Sequence, residues 1–297
     1  MGRVWVVGSL NVDRAWRVQR HPSVGATILG EVLAPAAGGK GLNQAVAAAR
    51  MGAEVALVGC VGADEDGRWL VARAGAEGID VSQVTTHRSA TTGTALIVIA
   101  ADGSNTVTVD AGANAELVIA AGQRLGIAAG DVVVAQLEVP VSAVAAAFGE
   151  AAAVGATSIL NPSPLGVGRS LVAAATVVVL NQLEAAELAG EPAAASPDAA
   201  LRQAQDLARP AQAVVVTLGG SGVVAVDGTG APVRVEGVAV DAVDTTGAGD
   251  CFAGVLAASL AAAVPFADAL ARANAAAAIA VTRTGTVDAM PHVTDLT

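Results

Sequence analysis

The residues best suited to chemistry form a glycine-rich acidic segment, Asp244-Thr245-Thr246-Gly247-Ala248-Gly249-Asp250, which leads directly into a helix-compatible stretch, Cys251–Ala263. Small residues allow the backbone to approach a ligand closely, and a helix that begins here directs free N–H groups and the positive end of its dipole at that ligand. The segment therefore predicts an anion site suited to a phosphate in transfer. Asp250, at the helix start, could accept a hydroxyl proton as a general base.

A purely structural role is the alternative for Asp250, because aspartate is common at the N-cap of a helix. An aspartate at a helix start, taken alone, favours the cap. The glycines that precede Asp250 and the second acid at Asp244 favour the catalytic interpretation.

A second glycine-rich segment is Gly38-Gly39-Lys40-Gly41-Leu42-Asn43-Gln44-Ala45. It is not a P-loop, which requires Gly-x-x-x-x-Gly-Lys-[Ser/Thr]. Its glycines let the backbone approach a small polar ligand, with Asn43 near the start of the following helix; a loop with an Asn cap is the structural alternative. Lys40 is the only lysine of the chain, so a chance lysine at this place is less expected.

Polar residues also follow several predicted strands, at the edge where open α/β sheets bind ligands. Asn11 and Asp13 alternate in an extended stretch after the first strand, so their side chains share a face and could bind adjacent hydroxyls. Asn and Asp also occur in plain turns, which is the alternative. Glu138 lies at the end of a further strand.

Two further strand ends could bind a nucleotide. Glu184, in Asn181-Gln182-Leu183-Glu184, could reach a magnesium ion through water. The segment Thr217-Leu218-Gly219-Gly220-Ser221-Gly222 could hold phosphates with its backbone N–H groups. An ordinary connection between strand and helix is an equal alternative for each.

Other function classes are disfavoured. The net charge of −11 argues against a nucleic-acid partner, since phosphate backbones attract basic surfaces. The three histidines, His21, His87 and His292, have no metal-binding spacing. The dinucleotide fingerprint of dehydrogenases and the nucleophile elbow of hydrolases are both missing from the sequence.

The elements that must position these residues alternate along the chain. Continuous apolar runs are typical of parallel strands that helices cover on both faces. They occur at Val4–Val7, Val55–Val58, Val132–Ala135, Ser158–Leu160, Val177–Leu180 and Ala213–Thr217. Helix candidates are Asn43–Arg50, Arg68–Ala76, Val141–Ala153 and Pro197–Ala208. This order predicts one α/β domain over residues 1–297, with a mostly parallel central sheet flanked by helices.

Two segments interrupt that alternation, at about residues 14–37 and 91–110. Arg14–Pro35 has turn formers and no helical period, whereas Thr94–Ala100 and Thr106–Asp110 are predicted as a hairpin joined at Asp102-Gly103. Together they predict a small projecting β-sheet. Its exposed edges and apolar face should cover a site or pair with another subunit.

The remaining composition indicates an ordinary globular protein. The stretch Cys251–Phe266 is rich in Ala and Gly and is interrupted by Ser259 and Pro265, which predicts a buried helix and not a membrane span. The N-terminal residues show no secretory signal, so we expect a cytoplasmic protein. Cys60 and Cys251 have no pairing motif and are expected to be buried apolar residues.

Taken in order, these motifs resemble the ribokinase family of PfkB-type carbohydrate kinases over nearly the whole chain. The pair Gly-Gly-Lys-Gly-x-Asn and Asp-Thr-Thr-Gly-Ala-Gly-Asp is specific to that family, and the ribokinase branch matches best. The further matching segments are Ala111-Gly112-Ala113-Asn114-Ala115, Asn161-Pro162-Ser163-Pro164, Asn181-x-x-Glu184, Thr217-Leu218-Gly219 and Ala280-Val281-Thr282-Arg283-x-Gly285.

The resemblance implies ATP-dependent phosphorylation of a primary hydroxyl, foremost the conversion of D-ribose to D-ribose 5-phosphate. Asp250 would be the base, and the backbone of Gly247, Ala248, Gly249 and Asp250 the anion hole. The sugar would be held by Asn11, Asp13, Gly38, Gly39, Lys40, Asn43 and Glu138. Alternatives are a kinase for another sugar, a nucleoside or a sugar acid, and, in a different class, an inactive sugar- or nucleotide-binding regulator.

The resemblance also implies ATP, Mg²⁺ and K⁺ sites, and it implies that the projecting β-sheet is a lid over the sugar through which a homodimer forms. The nucleotide and its magnesium would be bound by Asn181, Glu184, Thr217, Gly219, Gly220, Ser221, Gly222, Gly249 and Asn274. Potassium would be bound by the Asp244 carboxylate and by backbone oxygens of Thr246, Ala280, Arg283 and Gly285. Two departures from the family pattern are Ala289, which lacks a hydroxyl often found near the potassium ion, and Ala26, which replaces an acid of the lid.

Overall fold

A computed structural model of the chain describes residues 2–166, 168–210 and 212–296. Over these ranges the chain forms fourteen strands and eight α-helices. In chain order they are β1 (Val4–Val7), β2 (Asn11–Val18), β3 (Gly30–Val32), β4 (Ala36–Gly38), α1 (Lys40–Arg50), β5 (Val55–Gly62), α2 (Glu65–Ala76), β6 (Asp80–His87), β7 (Gly93–Ala100), β8 (Asn105–Asp110), β9 (Val132–Ala135), α3 (Val141–Val154), β10 (Thr157–Leu160), α4 (Arg169–Val172), β11 (Val177–Asn181), α5 (Gln182–Ala189), α6 (Pro197–Leu207), β12 (Ala213–Thr217), β13 (Val223–Val226), β14 (Pro232–Val235), α7 (Ala248–Ala261) and α8 (Phe266–Ala280).

The larger sheet has nine strands in the order β14-β13-β12-β11-β10-β9-β1-β5-β6. The strands from β12 to β6 are parallel, and β13 and β14 extend the sheet by antiparallel pairing. Successive side chains of a strand point to opposite faces, so Val4 and Val6 enter one hydrophobic core while Trp5 and Val7 enter the other. Helices α1, α2, α7 and α8 cover the first face, and α3 to α6 cover the second. The predicted fold class is confirmed.

The smaller sheet, which we call the lid, has the order β3-β2-β7-β8, with β4 also paired to β2. The hairpin predicted from Asp102-Gly103 forms between β7 and β8, and β7 lies parallel to β2 along its whole length. The segment Arg14–Pro35, predicted as part of the small sheet but without strand bounds, contains most of β2 and all of β3. Strand pairing supplied by β7 gives this segment an order that its own sequence pattern does not show.

Helix α1 begins at Lys40, three residues before the predicted start at Asn43. Gly39 is its N-cap, with a φ of 91°, a conformation that side chains disfavour. Gly41 lowers helix propensity, but a Cβ at this position would lie 2.5 Å from the backbone of Gly8 and Ser9. The close approach of α1 to the loop after β1 therefore requires the glycine that obscured the helix start.

The helix predicted after Asp250 is α7, and ten of its residues besides Asp250 are buried. No helix of the described residues is long and apolar enough to cross a membrane. Cys60 and Cys251 are both buried and free. Burial, reinforced by the charge of Asp250, raises the pKa of Cys251 to about 12, so its thiol stays protonated at neutral pH.

Candidate active site

The site lies where the parallel strands of the large sheet end. The loops after β1, β9, β11 and β12 carry the polar residues, and the N-terminus of α7 faces them. Gly247, with a φ of 77°, is the N-cap of α7, and the first intrahelical hydrogen bond runs from the N–H of Cys251 to the carbonyl of Gly247. The N–H groups of Gly249 and Asp250 precede that bond and can therefore meet an anion.

Asp250 is not the cap of its helix. It occupies the third position of α7, is only 6% exposed, and directs its carboxylate at α1. Asn43 Nδ2 donates to its Oδ2 at 2.9 Å, and Gln44 Nε2 donates to its Oδ1 at 3.0 Å. Two amide donors thus orient one buried carboxylate, an arrangement that suits a base held ready for a hydroxyl proton.

Asn11 and Asp13 enter the site from β2, at the base of the lid. Asn11 Oδ1 accepts a hydrogen bond from Asn114 Nδ2 at 2.7 Å, and Asn114 Oδ1 accepts from the N–H of Leu10 at 2.9 Å. A Cβ at Gly93 would lie 2.2 Å from both amide groups. Asn114 was not predicted as a site residue, although its segment, Ala111–Ala115, is one of the family-like motifs.

Glu138 and Gly38 complete this end of the site. The carboxylate of Glu138 accepts hydrogen bonds from the Ser9 hydroxyl and, at 3.2 Å, from the N–H of Lys40. A Cβ at Gly38 would lie 2.3 to 2.5 Å from the carboxyl atoms of Asp13. Glycine at position 38 is therefore needed to leave room for Asp13, a reason that the sequence pattern does not reveal.

Four carboxyl groups and one ammonium group determine the electrostatics of the site. Burial, together with the charges of Glu138 and Asp250, raises the pKa of Asp13 to about 7. Lys40 has a raised pKa because the attraction of Asp250, followed by that of Glu138 and Glu184, outweighs the effect of burial. Lys40 is thus a stable cation beside the predicted base.

Two adjoining cavities lie on the other side of Asp250. The first has a volume of about 450 Å³ and an apolar wall that includes Val223, Val240 and Phe252. The second has a volume of about 430 Å³ and includes Lys40, Asp250 and other polar groups. They share Thr217, Gly219, Thr245, Ala248 and Gly249. The combined space suits a flat apolar group joined to a charged one.

The structure brings most of the predicted nucleotide residues to these cavities. The first is lined by Thr217, Gly219, Gly220, Gly222, Gly249 and Asn274, and the second by Asn181 and Glu184 together with Thr217, Gly219 and Gly249. Asn274 Nδ2 also donates to the carbonyl of Glu236 at 3.0 Å, which fixes the start of the segment that covers the first cavity. Ser221 lies in the turn after β12 but lines neither cavity.

Asn181 and Glu184 have a structural role as well. Asn181 is the N-cap of α5, and its side chain accepts from the N–H of Glu184 while Glu184 Oε2 accepts from the N–H of Asn181, both at 2.9 Å. This reciprocal pair is a capping box. The other carboxylate oxygen, Oε1, takes no part in it, so the cap and a hydrated cation are compatible uses of Glu184.

Asp244 links the two segments predicted to bind a monovalent cation. Its Oδ1 accepts from the N–H of Thr246 at 2.9 Å and its Oδ2 from the N–H of Gly285 at 3.0 Å. Burial tends to raise the pKa of Asp244, but these hydrogen bonds outweigh it and hold the pKa below its usual value. The carbonyl of Ala280 accepts from the N–H of Arg283 at 3.0 Å. Asp244 thus joins the segment before α7 to the segment after α8, which are the two segments predicted to supply the cation ligands. Within residues 2–166, 168–210 and 212–296, no cluster of three or more His, Cys, Asp or Glu could hold a metal.

Comparison with known proteins identifies close relatives of the whole chain. The pfkB family of carbohydrate kinases matches residues 1–293. The chain is 35% identical to a ribokinase of Haemophilus influenzae, covering 96% of this chain and 94% of that protein. It is 36% identical to a ribokinase of Mus musculus, covering 99% and 93%. A solved structure of Arabidopsis thaliana ribokinase complexed with ribose and ATP superimposes with a TM-score of 0.88 at 28% identity, covering 100% of this chain and 98% of that one.

Proposed function

This chain belongs to the pfkB family of carbohydrate kinases, and we propose that it transfers the γ-phosphoryl group of ATP to the primary hydroxyl of D-ribose. The observation that carries the proposal is the position of Asp250. Its carboxylate, oriented by Asn43 and Gln44, lies between the polar groups of β2 and the two cavities. The ribokinases of Haemophilus influenzae and Mus musculus, both more than one third identical to this chain, support ribose as the acceptor.

In the proposed reaction, the carboxylates and amides at the base of the lid bind the sugar. Asn11, Asp13, Asn43 and Glu138 would accept and donate hydrogen bonds to its hydroxyls, with the backbone of Gly38 and Gly39 and the nearby Lys40 as further contacts. The primary hydroxyl would thereby be held against Asp250.

Asp250 takes the proton from that hydroxyl as its oxygen forms a bond to the γ-phosphorus. The bond from this phosphorus to the bridging oxygen breaks, and ADP leaves with the bond electrons. The N–H groups of Gly247 to Asp250 stabilise the charge that develops on the transferred group. ATP would lie with its base in the first cavity and its phosphates in the second, contacting Thr217, Gly219, Gly220, Gly222 and Asn274, with Ser221 in the same turn but outside both cavities.

A divalent ion, when bound, neutralises charge on the β- and γ-phosphates. We propose Mg²⁺, held through water by Glu184 with Asn181 nearby, because magnesium keeps several waters and binds to one or two carboxylates and substrate phosphates. Glu184 lines the second cavity and its Oε1 takes no part in the capping box, which supports this assignment.

The wild-type rate is expected to depend on the monovalent cation. We propose that the Asp244 carboxylate and the carbonyls of Thr246, Ala280, Arg283 and Gly285 bind K⁺ behind the anion hole. ADP release should then be faster in potassium than in sodium at equal ionic strength, because the larger ion fits a site of backbone oxygens. Asp244→Ala should respond equally to both salts. Equal wild-type rates in the two salts would contradict the cation site.

Sugar affinity is expected to depend on pH through Asp13, whose pKa is about 7 in the sugar-free fold against an ordinary value of 3.8. An ionised carboxylate accepts hydrogen bonds from two hydroxyls, whereas a protonated carboxyl loses one of these acceptor sites. We therefore expect kcat/KM for ribose to fall as the pH is lowered through about 7. Asp13→Asn should have a lower kcat/KM for ribose at every pH but should not show the fall near pH 7. The same fall in that variant would contradict the assignment to Asp13.

The stability of the sugar-free protein should respond to the same group. Between the unfolded and folded pKa values of Asp13, the folded state retains a proton that the unfolded state has released. The free energy of unfolding contributed by Asp13 is therefore largest below the lower value and is lost as the pH rises through the higher one.

We propose one kinase domain over residues 1–297, with the lid segments at about 14–37 and 91–110, although β2 begins at Asn11. Residues 1, 167, 211 and 297 of this domain lie outside the described residues.

A homodimer through the lid is supported by its exposed apolar residues Leu96, Val107 and Val109. The net charge of −11 supports the absence of a nucleic-acid partner. Since its proposed substrate ATP is an intracellular metabolite, we place the enzyme in the cytoplasm.

The deciding experiment is ADP release from ATP and magnesium, with and without potassium, for D-ribose, deoxyribose, fructose, adenosine and 2-keto-3-deoxygluconate. A clear preference for ribose is expected. Preference for another acceptor would overturn ribose as substrate and keep the phosphoryl-transfer chemistry. No ADP release with any acceptor would favour a sugar- or nucleotide-binding regulator instead.

A further inference from the structure

Two buried glutamines stand in series behind the Asp250 carboxylate: Gln44, which donates to it, and Gln136, which has no part in the reaction described so far. Gln44 Nε2 donates to Asp250 Oδ1 at 3.0 Å, and Gln136 Nε2 donates to Gln44 Oε1 at 2.6 Å. Both glutamine residues are fully buried, at 0% exposure. Neither lines the two cavities assigned to ATP, and side chains with no exposed surface are not open to the sugar either.

We propose that Gln44 and Gln136 are positioning residues for the phosphoryl transfer, acting in series to hold the Asp250 carboxylate toward the acceptor hydroxyl. The proposal rests on the function proposed above, with Asp250 as the base. It assigns to the pair no contact with either substrate.

The direction of the chain follows from what each group can donate. An ionised carboxylate only accepts hydrogen bonds, so Gln44 must turn its NH₂ group toward Asp250. Its amide oxygen then points away and needs a donor, which the NH₂ group of Gln136 supplies at 2.6 Å. A reversed amide at either position would bring two acceptors face to face. The chain therefore has one favourable orientation, and that orientation ends on the carboxylate.

Burying these amides is costly for stability alone. Gln136 Oε1 is buried without a hydrogen-bond partner among the described residues, and an unsatisfied buried acceptor costs about 1–3 kcal/mol. Apolar side chains of similar size would avoid that cost. Gly8 accommodates the arrangement, since a Cβ there would lie 2.1 Å from Gln136 Oε1.

The second donor to Asp250 cannot replace this chain. The carboxylate can turn about its Cβ–Cγ bond, and Asn43 Nδ2 opposes that rotation through one oxygen only, Oδ2, at 2.9 Å. Gln44 holds the other oxygen and so opposes the same rotation from a second side. Small displacements of a catalytic group can lower rates by about 10²-fold.

The test compares Gln44→Met and Gln136→Met, which keep the side-chain length and remove the amide. Gln44→Met should lower kcat by about 10- to 100-fold, with the KM values for sugar and ATP changed by no more than about two-fold. Gln136→Met should lower kcat by about three- to ten-fold, because it acts only through Gln44. Gln203→Met is the matched control. Gln203 is buried in α6, donates to the carbonyl of Pro192 at 2.9 Å and likewise has an unpartnered Oε1; its kcat should equal that of wild type.

To distinguish positioning of the base from a purely structural role, each glutamine substitution is combined with Asp250→Asn. If the glutamines act through the base, Gln44→Met should not lower the residual kcat of Asp250→Asn further. An equal fold-loss in both backgrounds, or wild-type kcat in Gln44→Met, would overturn the proposal. If Gln44→Met does not fold, as judged by thermal unfolding, Gln136→Met decides by the same two comparisons.

Failure of the proposed function would be seen separately. Activity with a sugar other than ribose would leave the test unchanged, performed with that sugar. If wild type releases no ADP with any of the acceptors tested, the crystal structure of Gln44→Met decides instead. An Asp250 carboxylate turned away from its wild-type position supports the positioning role, and an unmoved carboxylate overturns it.

Discussion

Asp250→Asn is expected to lower turnover by about 10²-fold or more while leaving the binding of sugar and ATP close to that of wild type. The substitution keeps the size of the side chain and removes its negative charge and its capacity to take a proton. Asn43 and Gln44, which contact both carboxylate oxygens, still surround the new amide, and the N–H groups of the helix start are unchanged. The measurement is kcat together with dissociation constants for sugar and ATP from calorimetry.

The matched control for this change is Asp268→Asn. Asp268 lies at the third position of α8, as Asp250 does in α7, but it is exposed. If the effect at Asp250 came only from the helix dipole, which is worth about 0.3–1 kcal/mol at an exposed position, the two variants would lose similar stability and neither would lose turnover. Near-normal turnover in Asp250→Asn would refute its role as the base.

Gly254→Ala is expected to destabilise the fold by about 1–3 kcal/mol, although alanine is the better helix former by about 1 kcal/mol. A Cβ at this position of α7 would lie 2.3 Å from the carbonyl oxygen of Gln44 and 2.8 Å from the Cβ of Ala47 in α1. The two helices must move apart. Since α1 carries Asn43 and Gln44, and α7 carries Asp250, turnover should fall as well.

Gly149→Ala provides the control for the second prediction. Gly149 also lies within a helix, α3, but no atom is within 4 Å of the Cβ that alanine would add. Here the helix propensity acts alone, and a gain of up to about 1 kcal/mol is expected. Urea unfolding of both variants measures the difference. A Gly254→Ala protein as stable as wild type would contradict the prediction, because α1 and α7 could then move apart without loss of stability.

The local sequence pattern was sufficient to predict many of the strands and helices of this protein. The valine-rich runs at Val4–Val7 and Val132–Ala135 were predicted as strands and form β1 and β9. The helix after Asp250 and the hairpin at Asp102-Gly103 were predicted for the same reason: each depends on residues that are neighbours in the chain. The family was recognised from motifs of the same local kind.

Local pattern misplaced features that depend on neighbours elsewhere in the fold. The order of β2 and β3 comes from pairing with β7 and from their own antiparallel contact. The start of α1 at Lys40 depends on a close approach to Gly8 and Ser9. Neither partner is near in sequence, so composition and period could not indicate the outcome.

The sequence by itself determined the fold class, the family and the residue types gathered at the strand ends, because these follow from periodicity and short motifs. Only the tertiary structure decided that Asp250 faces α1 and is not a cap, and that Gln44 and Gln136 form a chain behind it. The hydrogen bonds from Asn43 and Gln44 to Asp250 span 207 and 206 residues. Such contacts depend on how α1 and α7 cross on the sheet, and that geometry arises from packing over the whole core, which no local segment encodes.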